Sequence, residues 1–200
     1  MKRRSYTSGE RQRTVEAGRD RIVAAARELL DDDEAEGFSI DAVARRAGVA
    51  RMTVYNQFES KAGLLEALFD SLALRGPLAD MAEIFRIADP IAAFDAYVAL
   101  FGRFWTLNRR THRRLRAAAM HDAELASAIA SRNDRRRKGV AELIHRLGDR
   151  AQPVVPPEEA ANVIYVLLSF DTFDAIAGDS RTPEEVAPIV ARSVRAVIGV

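Results

Sequence analysis

The stretch AVARRAGVARMTVYNQF, Ala42 to Phe58, decides how the chain is read: it holds two short helix-like segments hinged on a single glycine, Gly48. Ser39 stands ahead of it as an N-cap for a helix running through Arg46. Gly48 supplies the backbone freedom to end that helix and turn. A further helix, about residues 51–57, follows, with Val54 and Phe58 spaced to face a core. So short a helix cannot hold itself together in water, since isolated helices below ~12 residues are marginal. Its outer face, which carries Arg51, Met52, Thr53, Tyr55 and Asn56, is therefore the part with a use. Side chains of these types bond to base edges and phosphates, and a helix N-terminus itself favours phosphate. The spacing predicts a helix-turn-helix whose recognition helix is 51–57.

Working outward, Ile22, Ala25, Ala26, Leu29 and Leu30 share one face of a first helix, which should stop around the acidic run Asp31 to Glu36 and Gly37. Ser60 caps a fourth helix carrying Leu64, Leu65, Leu68, Phe69 and Leu72. Ahead of the first helix, Lys2, Arg3, Arg4, Arg11 and Arg13 form a basic arm, assigned as flexible over residues 1–18. Two uses fit that arm equally well, a solubilising tail or a phosphate-tracking segment. The formal net charge of +1 conceals this segregation, and phosphate binding follows the local field.

At 200 residues and 48% hydrophobic content the chain can bury a core without staples. It contains no cysteine, which excludes disulfides, thiolate zinc sites and cysteine nucleophiles. Lys2, Arg3 and Arg4 are not followed by the apolar stretch of a signal peptide, and the longest apolar run, Val163 to Leu168, is far short of the ~20 residues a bilayer requires. A soluble, cytoplasmic, all-α protein with no membrane contact is expected.

The run FSIDAVARRAGVARMTVYNQFESKAGLLEALF, Phe38 to Phe69, resembles the DNA-binding segment of the tetracycline-repressor (TetR) family. The likeness lies in its alanine-glycine-valine turn, its threonine-aliphatic-tyrosine core and its F-x-S-K entry to the fourth helix. The resemblance implies that Ser39, Tyr55 and Lys61 hold the DNA backbone, while Arg51, Met52, Thr53 and Asn56 approach bases. Ala50 stands where the family commonly has serine or threonine, Met52 where it has a small residue, and Asn56-Gln57 where histidine or tyrosine is usual. The base preference of relatives therefore does not transfer. The implied organisation is a basic arm over 1–18, a helix-turn-helix domain with its connecting fourth helix over 19–76, and a helical effector-binding and dimerisation domain over 77–200.

In the C-terminal part, Asp89-Pro90 is a helix start, and Phe94, Tyr97, Phe101, Phe104 and Trp105 then form a dense aromatic face. Such a stripe builds a core or lines a cavity. Relatives keep a ligand pocket in this domain, so Phe101, Trp105, Met120 and Phe173 are pocket candidates. From Leu125 through Ile129 to Val140, Leu143 and Leu147 the apolar spacing is interrupted at Arg132 and Arg136. Three readings stay open for these two arginines: pairing with Asp171 or Asp174, recognition of an anionic small-molecule effector, or plain solvation. The acid-free stretch Arg103 to Arg116, with its six arginines, favours an anion.

The segment Asn162 to Ala177 is apolar around most of its circumference and must bury more than one face. Thr182, Pro183 and Glu185 combine a cap, a first-turn proline and a capping-box acid ahead of the stripe Val186, Val190, Val194 and Val197. The resemblance implies that these last two helices, about 157–178 and 183–198, pair with their copies in a homodimer that grips a palindromic double-stranded operator. Catalysis fares poorly. The three histidines lack the i, i+4 spacing of a zinc pair, and neither a nucleophile elbow nor a phosphate loop is present. No catalytic residue, metal or cofactor is assigned. The expectation is a ligand-responsive repressor, with a helix-turn-helix protein that works through protein partners as the alternative and an all-α enzyme a distant third.

Overall fold

The protein is described by a computed structural model covering the backbone of residues 4–32, 37–74, 76–150 and 152–200, and among these the side chains of all but 4–11 and 149. Among the described residues every regular element is a helix: α1 (Arg4–Asp31), α2 (Ile40–Ala47), α3 (Arg51–Phe58), α4 (Lys61–Leu74), α5 (Met81–Arg86), α6 (Pro90–Leu107), α7 (Arg109–Ala119), α8 (Ala123–Leu147), α9 (Pro157–Leu167), α10 (Phe170–Ala177) and α11 (Pro183–Ile198). Two short 3-10 turns add to these. The chain divides into two compact units, residues 1–71 with 113–128, and residues 72–112 with 129–200. The sequence reading placed the boundary between the two helical domains at 76/77. It had no means to assign 113–128 to the first unit, because the grouping arises from contacts made in three dimensions.

In the first unit α1 packs on α2, and α2 on α3. Ile22, Ala25, Ala26, Leu29 and Leu30 are all buried, as their shared helical face requires. The helix starts earlier than the sequence reading placed it. Residues 4–18, assigned there to a flexible arm, continue α1 without a break, since Arg, Gln and Glu are good helix formers and no proline intervenes. Residues 1–3 of that arm, and 33–36 of the acidic run, lie outside the described residues.

In the second unit α6 and α11 form the central pair, joined by α9, α10 and α5. Asp89 caps α6 by accepting from the Ile91 and Ala92 N–H groups, with Pro90 in the first turn. Gly102 lets the two central helices approach: a Cβ there would lie 3.0 Å from that of Ala187. The capping box at Thr182 and Glu185 is complete, and Pro188 sits inside α11. The segment read as one helix over Asn162 to Ala177 is two. Ser169 restarts the chain as α10 by accepting from the Thr172 N–H at 3.2 Å, and Thr172 Oγ1 donates to the Val166 carbonyl at 2.7 Å. The two helices bend by 52°. No single helix among the described residues is long and apolar enough to cross a bilayer; α9 and α10 reach that length only as the bent pair.

Candidate nucleic-acid interface

The reading head is built from the turn outward. Ser39 caps α2 by accepting from the Ala42 N–H at 3.2 Å. Gly48 closes the helix at φ 65°, a left-handed conformation that favours glycine, and its N–H bonds back to the last turn. Val54 and Phe58 are buried at 0% and 4% exposure and anchor α3 from beneath. Arg19 reinforces that anchor: its guanidinium lies 4.3 Å from the Phe58 ring centroid and donates to the Gln57 carbonyl at 2.6 Å. Next, α4 crowds the end of α3, where a Cβ at Gly63 would sit 2.1 Å from the Phe58 carbonyl oxygen, so only glycine fits.

With α3 pinned this way, Arg51, Met52, Thr53 and Asn56 are exposed, Met52 at 65%. Ser39 is exposed as well, and Tyr55 is half-buried at the margin. Arg51 does not wave freely. It donates to Asp41 Oδ2 at 3.0 Å and to the Tyr55 hydroxyl at 3.3 Å, and its guanidinium lies 5.5 Å from the Tyr55 ring centroid. The hydrogen bond to the Tyr55 hydroxyl and the charge of Asp41 push its pKa above the usual guanidinium value. Asp41 was absent from the sequence-level candidates. Its only signal was an acidic residue in the first turn of α2, which a helix accepts for its own dipole.

Lys61 is held too. Its Nζ pairs with Asp122 in the same unit, both side chains about four-fifths buried. Asp122 also accepts from the Leu125 N–H at 3.1 Å and so caps α8. Burial alone would raise the Asp122 pKa; the Lys61 hydrogen bond, the Leu125 N–H and the Lys61 charge outweigh it and hold the carboxyl below its ordinary value. The sequence reading assigned Asp122 no role.

The ligand candidates separate. Phe101, Trp105 and Arg136 come together in the second unit: the buried Arg136 guanidinium stands 5.9 Å from the Phe101 ring centroid, 5.6 Å from Trp105 and 4.7 Å from Tyr165. Its Nε is out of solvent and without a hydrogen-bond partner. Burial pushes its pKa down, opposed by Tyr165, Tyr97 and the charge of Asp171. Arg136 is 8% exposed, so simple solvation does not describe it, and Asp174 is not its partner either, being paired with Arg109 at 2.5 Å. Arg132 is half-buried one turn earlier on α8. Phe173 is fully buried beside Gly102, as core. Met120 is 80% exposed and belongs to the first unit; it follows α7 in a turn where no apolar face recruits it. A separate groove of about 450 Å³ runs between α6 and α11, lined by Asp95, Arg103, Pro188 and Arg195 among others, and takes in none of these candidates.

Two short helices at a left-handed glycine, the second anchored from below and presenting polar side chains, define a helix-turn-helix. Residues 22–68 match the family described as "Bacterial regulatory proteins, tetR family". The matched residues span the reading head, from the second half of α1 into α4. Among solved structures, NalD of Pseudomonas aeruginosa, the secondary repressor of the MexAB-OprM multidrug efflux pump, is 22% identical with a TM-score of 0.69, covering 92% of this chain and 98% of its own. A putative TetR-family regulator from Syntrophomonas wolfei has a TM-score of 0.74 at 18% identity, over 92% and 95% of the two chains. PfmR of Thermus thermophilus has 0.59 at 21%, over 90% and 98%. These likenesses concern the fold. No curated protein sequence matches the chain.

Proposed function

We propose that the protein is a ligand-responsive repressor that binds a palindromic operator as a homodimer in the cytoplasm. The observation that carries this reading is the exposed row Arg51, Met52, Thr53 and Asn56 on a helix whose opposite face is fully buried. Those four side chains approach bases, while Ser39, Tyr55 and Lys61 hold the backbone. One such helix reads too few bases for a unique site, whereas a two-fold dimer sets two of them ~34 Å apart on successive major grooves. The last two helical segments, about 157–178 and 183–198, form the dimer contact; Val163 and Val166 stand 42% and 57% exposed on α9, a face that a second copy would cover. The effector is a small molecule with an acidic group, recognised by Arg136 with Arg132 nearby and flanked by Phe101 and Trp105. A buried guanidinium with an idle Nε supports that choice. Ligand and DNA weaken each other's binding by the same factor.

Selection of bound sequences from a random duplex pool, with no metabolite added, tests the reading. Enrichment of an inverted repeat is the expected result. Folded protein that enriches nothing, and instead forms a stable complex with another protein, would favour the protein-partner alternative.

A further inference from the structure

The head carries an acid where an acid should be unwelcome. Asp41 lies in the first turn of α2, exposed, within hydrogen-bond distance of the first residue of the recognition helix. A carboxylate on a surface that meets phosphates weakens binding to every DNA sequence through its charge. Its ion pair with Arg51 is exposed on both sides, 59% and 50%, and such pairs add little to stability. What the pair does supply is direction. Arg51 is held at one terminal nitrogen by Asp41 and at the other by the Tyr55 hydroxyl, with the Tyr55 ring beside the guanidinium. This leaves the Nε–H and one N–H on each terminal nitrogen free to donate, and fixes the plane in which they point. A planar fork with paired donors is the group that matches the O6 and N7 acceptors of guanine in the major groove.

We propose that Asp41 is a positioning residue for base recognition: it holds the Arg51 guanidinium in the orientation that reads a guanine, an assignment that rests on the DNA-reading function above. Preorganisation is the source of the effect. A free arginine loses rotamer entropy on binding and can swing to a nearby phosphate, which spreads affinity over all sequences. An arginine already bridged to Asp41 and Tyr55 loses less and is kept off the phosphates. Asp41 therefore trades general affinity for discrimination at one base pair per half-site.

The test uses full-length wild type, Asp41→Asn, Asp41→Glu and Arg51→Ala, each checked for helical content, in selection from a random duplex pool. Fluorescence anisotropy follows, on the enriched duplex, its single-base variants and a scrambled duplex. The wild type is expected to enrich a guanine at one position of each half-site, with substitution there weakening binding roughly five- to a hundredfold, the span of a good bidentate pair. Arg51→Ala should abolish discrimination at that position. Asp41→Asn should cut it at least about threefold at the same position, leave other positions unchanged and bind scrambled duplex as well or better, because a negative charge has gone. Asp41→Glu should restore part of it. Full guanine discrimination in Asp41→Asn, or a loss at a different base pair from Arg51→Ala, would overturn the positioning role while leaving DNA reading intact. A wild type that enriches no sequence would overturn the DNA-reading function and this assignment with it.

Discussion

Replacing Arg136 by methionine tests whether that guanidinium is there to hold the fold or to meet a ligand. The two side chains are close in volume, so Arg136→Met changes chemistry more than packing. Taking a guanidinium out of water costs several kcal/mol even after relaxation. Against this stand three aromatic rings at 4.7 to 5.9 Å, worth about 0.5–2 kcal/mol each. Those gains roughly cancel the cost. Methionine carries no desolvation cost and gains sulfur–aromatic contacts of about 0.3–1.5 kcal/mol per ring. The balance favours Arg136→Met by about 1–2 kcal/mol, which for a chain of this size raises Tm by roughly 2–8 °C. Circular dichroism melts of the two proteins at equal concentration, with reversibility checked, would read it. The same melts with a panel of aliphatic and aromatic carboxylates should show wild-type stabilisation by an accepted ligand, about 2.7 kcal/mol at a hundredfold excess over Kd, and none in Arg136→Met. A fall of several degrees in the methionine variant would refute the reasoning, because the guanidinium would then be a net structural asset.

Further outcomes for three variants follow from the geometry. Asp122→Asn removes the carboxylate that competes with phosphate for Lys61 while keeping an acceptor for the Leu125 N–H, so binding to all duplexes should tighten alike, measured by anisotropy between low and moderate salt. Because the folded pKa of Asp122 is depressed, its contribution to stability is complete at neutral pH and is lost as pH falls through the folded value, below the ordinary 3.8; acid-unfolding curves of wild type and Asp122→Asn should converge there. Gly63→Ala should destabilise the head by about 1–3 kcal/mol or more, since its Cβ meets the Phe58 carbonyl oxygen, an atom of the backbone; the loss would register in denaturant melts and in DNA binding. Val166→Glu on the exposed face of α9 should shift the protein to a monomer in sedimentation velocity and weaken operator binding, whereas an unchanged sedimentation coefficient would exclude that face from the dimer contact.

The helices were legible wherever burial and capping act through residues close in sequence. Val54 and Phe58 sit one turn apart and both are buried; Ser39, Asp89 and Thr182 each lie directly ahead of the helix they cap. The break between α9 and α10 was not legible, although Ser169 has the same capping chemistry. It is embedded in an apolar run, where a serine reads equally well as an interior residue bonding back along a continuous helix. The start of α1 was missed for the opposite reason. Residues 12–21 present no buried face, so periodicity had nothing to detect, and helix propensity alone extends the element.

The charged groups of the site show where sequence reasoning stops. Burial of a leucine depends on a face, and a face is periodic; the state of a lysine depends on which single group stands opposite it, and that group is often far along the chain. Lys61 ends a F-x-S-K motif that resembles a phosphate contact of the TetR family, yet its partner in this structure is Asp122, sixty-one positions away. Asp174 was a candidate for Arg136, and Arg109, sixty-five positions away, holds it. Arg51 differs in that its partners, Asp41 and Tyr55, are within ten positions, but the two contacts together require the turn at Gly48 to bring α2 beside the start of α3. The consequence for recognition is concrete. Two relatives with the same residue at position 51 and a different one at position 41 would present the same arginine in different orientations, and would favour different bases at that step of the operator.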